Sequence, residues 1–178
     1  MQTPRVRLLQ GATKLLDQQD VEALTIGALA DSLRMSKSTL YKHFQNKDDL
    51  VNALVHEVCD AAHRDLDALK PDAPPLRKLE ALFTVHGRHA DRTPRAVLIH
   101  ADALPSAAQE RLSGWRHATA TWCREALSAP KTPALLDAGI ASALHGAVDA
   151  AGRRAPMGAR LPMITQLWPR FSLLLAAK

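Results

Sequence analysis

Aromatic residues are scarce in this sequence: three Trp, one Tyr and three Phe make up 4% of it. That shortage, beside abundant Ala and Leu and few β-branched residues, excludes a sheet-dominated core. Ala and Leu lose little on entering a helix, so the expected fold class is all-α. Cysteine is nearly absent. Cys59 and Cys123 stand far apart, which excludes a disulfide framework and a paired metal-ligand spacing; two buried, reduced thiols are expected. Long apolar runs are also missing. The start, MQTPRVRLLQ, lacks the apolar centre of a signal peptide, and the late apolar stretch from Leu161 to Ala177 is broken by Gln166, Pro169 and Arg170. A cytoplasmic protein with no membrane partner is expected. There is no nucleophile elbow, phosphate loop or metal-protease motif, and therefore no catalytic site, cofactor or metal centre to name. The last absence is local: from Arg34 to Lys47 there is no acid.

In that acid-free stretch lie four cations, Arg34, Lys37, Lys42 and Lys47. The whole chain of 178 residues carries 23 Lys and Arg against 18 Asp and Glu, a net charge of +5, and a sequence pI near 9.6. A basic balance permits a polyanion partner but says little until its placement is known. Residues 1–47 hold seven cations (Arg5, Arg7, Lys14, Arg34, Lys37, Lys42, Lys47) and four acids (Asp17, Asp20, Glu22, Asp31), an excess of three in a quarter of the chain. With 47% apolar residues the chain is too hydrophobic to be disordered.

Apolar spacing predicts a first helix through Val6, Leu9, Ala12, Thr13 and Leu16 that fades at Gln18–Asp20. Thr25 can cap a second helix with Ile26, Leu29, Ala30 and Leu33 inside. Ser36 can cap a third running to about Phe44. Asn46 begins a fourth, with Asp48 and Asp49 at the positive end of its dipole and an apolar stripe from Leu50 through Leu69 to a stop at Lys70–Pro71. Further helices are predicted near 75–90, 95–103, 106–128, 133–151 and 161–177, with GRRAPMG (152–158) as a loop and Pro169 as a kink or split. The expected organisation is a compact helical head over 1–47, a connecting helix from 46, and a body over 48–178.

Two short helices around a tight turn, the second presenting Lys37, Ser38, Thr39, Lys42 and His43, suit entry into a DNA major groove. A charged outer face can equally be a solvated one. The stretch TIGALADSLRMSKSTLYKHFQNKDDLVNAL resembles the signature of the TetR/AcrR family of transcriptional regulators: T-I-x-x-L-A, then S-x-x-T-L-Y-x-H-F, then N-K-x-x-L. The resemblance covers about the first 55 residues. It implies that Lys37, Ser38, Thr39 and Lys42 face base edges, and that Thr25, Tyr41, His43 and Lys47 grip phosphates of double-stranded operator DNA. The family usually has Gly where Arg34 stands, because the turn there often needs a positive φ. Either this turn is built differently, or Arg34 accepts strain of about 1 kcal/mol.

A single head of this size binds weakly, so heads work in pairs on half-sites roughly 34 Å apart. Helix 133–151 carries Ala138, Ser142, Gly146 and Ala150 at four-residue spacing beside Gly139, Ala143 and Ala147. Helix 161–177 supplies Leu161, Ile164, Leu167, Trp168, Phe171, Leu174 and Leu175. Such a pair can form half of a four-helix bundle across a two-fold axis or pack internally; the resemblance implies the homodimer. It also implies a body that encloses a small, largely apolar effector, for which Phe83, His86, Trp115 and Trp122 are the candidate pocket residues. The expected function is a repressor released by that effector. Alternatives are an enzyme using His86, His89 and His145, a metal-binding protein drawing on the body histidines His86, His89, His100, His117 and His145, or a constitutive DNA-binding factor without effector.

Overall fold

The computed structural model describes the backbone of residues 3–69, 73–126 and 134–176. The side chains of Ala138, Leu174 and Leu175 lie outside the described residues, as do Lys70 and Pro71. All regular structure among the described residues is helical, and no helix there is long and apolar enough to cross a membrane.

The head follows from its caps. Thr3 accepts from the Val6 amide at the start of α1 (Pro4–Gln18), and Thr25 accepts from the Ala28 amide at 3.0 Å to start α2 (Ile26–Leu33). Ser36 accepts from the Thr39 amide for α3 (Lys37–Tyr41), and Asn46 from the Asp49 amide at 2.8 Å for α4 (Lys47–Asp67). Each cap satisfies a donor that the first helical turn would leave unpaired. Between α2 and α3, Arg34 has φ 53° and ψ 45°, the left-handed conformation, and the Met35 amide returns to the Ala30 carbonyl at 2.9 Å. The turn is thus the expected one, with Arg34 bearing the strain. Helix α3 ends at Tyr41 rather than near Phe44. Lys42–Phe44 continue as turns in which the His43 and Phe44 amides share the Leu40 carbonyl. Leu8, Leu16, Leu24, Leu29, Leu40, Phe44 and Leu50 fill the miniature core, and the Arg5 guanidinium stands 5.5 Å from the Phe44 ring centre.

In the body, α5 (Pro75–Arg92) is surrounded by α4, α7 (Ser106–Ala126), α8 (Ala134–Arg154) and α9 (Arg160–Thr165). The predicted 95–103 helix is two pieces, α6 (Arg95–Ile99) and a 3₁₀ turn at Ala101–Ala103. Helix α8 runs three residues past the predicted end, taking Gly152–Arg154 out of the expected loop. Gly152 there lies against Leu98. The last predicted helix divides into α9 and α10 (Trp168–Ala176), with Pro169 in the first turn of α10 where its missing amide costs nothing.

Candidate nucleic-acid interface and body cavity

Leu40 and Phe44 anchor α3 from inside, so its other positions are turned outward. Lys37, Ser38, Tyr41 and Lys42 are exposed, and Thr39 and His43 are half-buried. Tyr41, 55% exposed, is the largest aromatic surface left open by the head. A buried face would have turned this ring inward. Ser36 Oγ lies 2.8 Å from Thr39 Oγ1 and 3.1 Å from Ser38 Oγ, so the hydroxyls form one local set at the N-terminal end of α3.

Beside α3 opens a groove of about 430 Å³ lined by Thr25, Gly27, Lys37, Tyr41, Asn46 and Lys47 among others. The N-termini of α2 and α4 both reach it, and their free amides and dipoles favour an anion. Lys47 Nζ donates to the Glu22 carbonyl at 3.3 Å, which holds its charge at the rim. Lys37 is placed differently from Ser38 and Lys42. Its chain folds back over α2, with Nζ 3.5 Å from where a Cβ at Gly27 would stand. The structure therefore brings Thr25, Lys37, Tyr41 and Lys47 together around one groove, while Ser38 and Lys42 stand on the open face of α3.

A second cavity lies in the body between α5, α6, α7 and α8. It measures about 20 Å³, room for one water, and is lined by His89, Val97, Leu98, Leu112, Trp115, Arg116, His145, Val148 and Asp149. Burial pushes His89 down to about 3 and His145 down to about 4, the nearby Arg116 charge adding to both, so both imidazoles are neutral at physiological pH. His86, behind them, is also driven to about 3 by burial, with His145 adding to the effect; its Nδ1 donates to the Leu82 carbonyl at 3.0 Å. Asp149 is raised above the usual carboxylate range by burial, against the pull of Arg116 and Arg153. His86 Nε2, Trp115 Nε1 and His145 Nε2 are buried without a hydrogen-bond partner among the described residues. Such atoms cost free energy unless a water or ligand meets them.

Of the four residues named from the sequence for an effector, Trp115 lines this cavity and His86 packs on Trp115 at 5.4 Å between ring centres. Phe83 faces elsewhere, against Trp168 and Phe171, and Trp122 packs half-buried at the core edge. His100 sits at the surface, 3.4 Å from Asp20, and His117 is exposed. No group of three His, Cys, Asp or Glu among the described residues is arranged to hold a metal. Cys59 and Cys123 are buried and are not joined in a disulfide, and burial lifts the Cys59 thiol to about 11 despite Arg111, leaving it inert.

The sequence profile described as "Bacterial regulatory proteins, tetR family" matches residues 8–54, the segment that carries every element of this interface. Over that segment the chain is similar to the TetR/AcrR family of transcriptional regulators. Among curated proteins it is 29% identical over 113 residues to the HTH-type transcriptional repressor KstR2 of Mycobacterium tuberculosis. That match covers 61% of this chain and spans 56% of the length of KstR2, little more than half. The TetR fold extends through the body. A tetR-family regulatory protein from Rhodococcus RHA1 superposes with a TM-score of 0.78 at 19% identity, covering 98% of this chain and 97% of that one. AibR, solved in complex with isovaleryl coenzyme A and operator DNA, superposes with a TM-score of 0.71 at 19% identity, covering 91% of this chain and 94% of its own.

His89 stands in the region expected to enclose an effector, whereas sequence reasoning did not name His145, Arg116 and Asp149 as cavity lining. Helical spacing makes His145 and Asp149 neighbours on one face, but only the packing of α7 on α8 shows that the face is internal.

Proposed function

We propose that this chain is a transcriptional repressor that binds operator DNA as a homodimer and is released by a small, largely apolar effector. The observation that carries the reading is the exposed, acid-free face of α3 standing over a groove where the N-termini of α2 and α4 converge. Ser38, Thr39 and Lys42 read base edges; Thr25, Tyr41, His43 and Lys47 hold the backbone, and phosphate contacts fix the register in which bases are read. The homodimer forms through α8 and α10. On α8, Gly139, Ser142, Ala143 and Gly146 are exposed, and none of the described residues lies within 4 Å of a Cβ built at either glycine, so a second helix can approach closely. On α10, Leu173 is 70% exposed. The effector enters between α5, α7 and α8, meets Trp115 and the neutral histidines, and shifts α4. It releases DNA only to the extent that it binds one head spacing more tightly than the other. Because the cavity admits one water, the effector must part these helices. AibR is solved with isovaleryl coenzyme A, whose short acyl chain is the apolar part that would enter between these helices, so acyl thioesters are the first class to try.

The small cavity also favours a second reading, a DNA-binding factor without effector. The primary test is a duplex selected from a randomised pool, followed by gel-shift titration. Lys42→Ala and Tyr41→Phe should each weaken binding, and unchanged affinity in both removes the interface. Titrating isovaleryl coenzyme A against that complex then separates the two readings: release supports the effector, and no release with a panel of acyl thioesters supports the constitutive factor.

A further inference from the structure

Arg160 is a fully buried arginine at the start of α9, and four of its hydrogen bonds stay within the protein. Nη2 meets Asp17 Oδ1 at 2.6 Å; Nη1 donates to the Thr93 and Ala90 carbonyls at 2.7 and 3.1 Å; Nε donates to the Ala155 carbonyl at 2.9 Å. Asp17 is the penultimate residue of α1, in the DNA-binding head. Its carboxylate also accepts from the Arg95 amide at 2.9 Å and the Met157 amide at 3.4 Å. Asp91 completes the cluster by accepting from the Gly158 and Arg160 amides at 3.0 and 2.9 Å. Three segments are thereby tied at one point: the end of α1, the α5–α6 junction and the loop between α8 and α9.

We infer that the Asp17–Arg160 pair is a positioning element that fixes the angle of the reading head against the dimer-forming helices, and so sets the half-site spacing the protein accepts. The inference rests on the reading of the chain as a dimeric DNA-binding protein. A buried ion pair contributes little net stability, but it holds only in a narrow geometry, and losing one partner strands the other charge. The planar guanidinium fork adds direction to that constraint. The loop bound by Asp17 follows directly on α8, which carries both the exposed small-residue face and the cavity residues His145 and Asp149. Head orientation is thus referred to α8 by a route separate from α4. Without the pair, α1 can rotate on the body while α3 itself stays intact, since its Ser36 cap and its packing on α2 lie within the head.

The test compares the unaltered chain with Asp17→Asn and Arg160→Lys on three duplexes: the selected operator, the same operator with one base pair inserted between half-sites, and an isolated half-site. The wild type should prefer the native spacing about tenfold over the inserted one. Asp17→Asn should bring that ratio to within about twofold while half-site affinity is kept, a pattern that a smaller folded fraction cannot produce because it scales all three affinities alike. Arg160→Lys keeps the charge and loses the fork, so its ratio should fall between the two. If Asp17→Asn does not fold, Arg160→Lys decides alone. An unchanged spacing ratio in a folded variant overturns the inference and leaves the proposed function standing. Recovery of no duplex, or of sites bound by one chain, overturns both.

Discussion

Leu161 of α9 lies across from Gly87 of α5 so closely that a Cβ at position 87 would stand 3.1 Å from the Leu161 Cα and 3.2 Å from its carbonyl oxygen. The obstacle is backbone, which cannot rotate away as a side-chain end can. Gly87→Ala should therefore lower stability by about 1–3 kcal/mol, despite the better helix propensity of Ala. Thermal unfolding followed by circular dichroism checks it, and an unchanged or raised midpoint contradicts the crossing described for α5 and α9.

Acid should unfold this protein early. His86 and His89 titrate at about 3 in the folded chain, against about 6.5 when unfolded. Between those values the unfolded chain holds more protons, so stability rises with pH through the window and is lost as pH falls below about 6.5. The loss by pH 5 should be on the order of 1–2 kcal/mol per histidine. Urea titrations at pH 7.5 and 5 measure it, and His86→Leu should flatten the dependence.

Arg34 offers a separation of strain from function. With φ at 53°, replacing it by glycine should raise the unfolding free energy by up to about 1 kcal/mol, as left-handed strain is relieved. The cation is lost at the same time from the exposed turn before α3. Arg34→Gly should melt higher and bind DNA more weakly, with a shallower salt dependence. A variant that melts lower shows the turn is not strained.

Much of this architecture was legible because its determinants are local. Thr25, Ser36 and Asn46 each cap the helix that begins one residue later, and Pro169 splits the last helix where its ring forbids continuation. The positive φ at Arg34 was legible as a conflict between the residue and the position. The family head is matched over 8–54, the span in which these local signals are densest. The Asp17–Arg160 pair was illegible for the opposite reason. Its partners are 143 residues apart, and nothing near either one marks it as buried. The cavity was half legible: Trp115 was named for its size, whereas Phe83, equally apolar, turned to Trp168 and Phe171 because α9 and α10 cover that side of α5.

Lys37 was assigned to base edges by its place in the motif, and its fold-back over Gly27 makes a different behaviour testable. From that position the ammonium lies beside the α2 N-terminus, where a phosphate would sit. Lys37→Ala should then weaken all duplexes by a similar factor and reduce the salt slope by about one, while Lys42→Ala or Thr39→Ala changes the order of preference among sequences. A Lys37→Ala variant that alters sequence preference returns this side chain to the bases.

The exposed face of α8 should fail in a way that leaves each chain folded. Gly146 has open space around it, so Gly146→Glu meets no obstacle within one protomer and improves helix propensity by about 0.5 kcal/mol. In a dimer the same carboxylate would be pressed against its own copy across the two-fold axis, with no partner for the charge. Gly114 on α7 is equally unobstructed and lies outside the proposed interface, so Gly114→Glu is the matched control. Sedimentation equilibrium should show dimers for the parent and Gly114→Glu chains and monomers for Gly146→Glu, whose affinity for the two-half-site duplex should fall to that for a single half-site. A Gly146→Glu chain that remains dimeric places the interface on another surface.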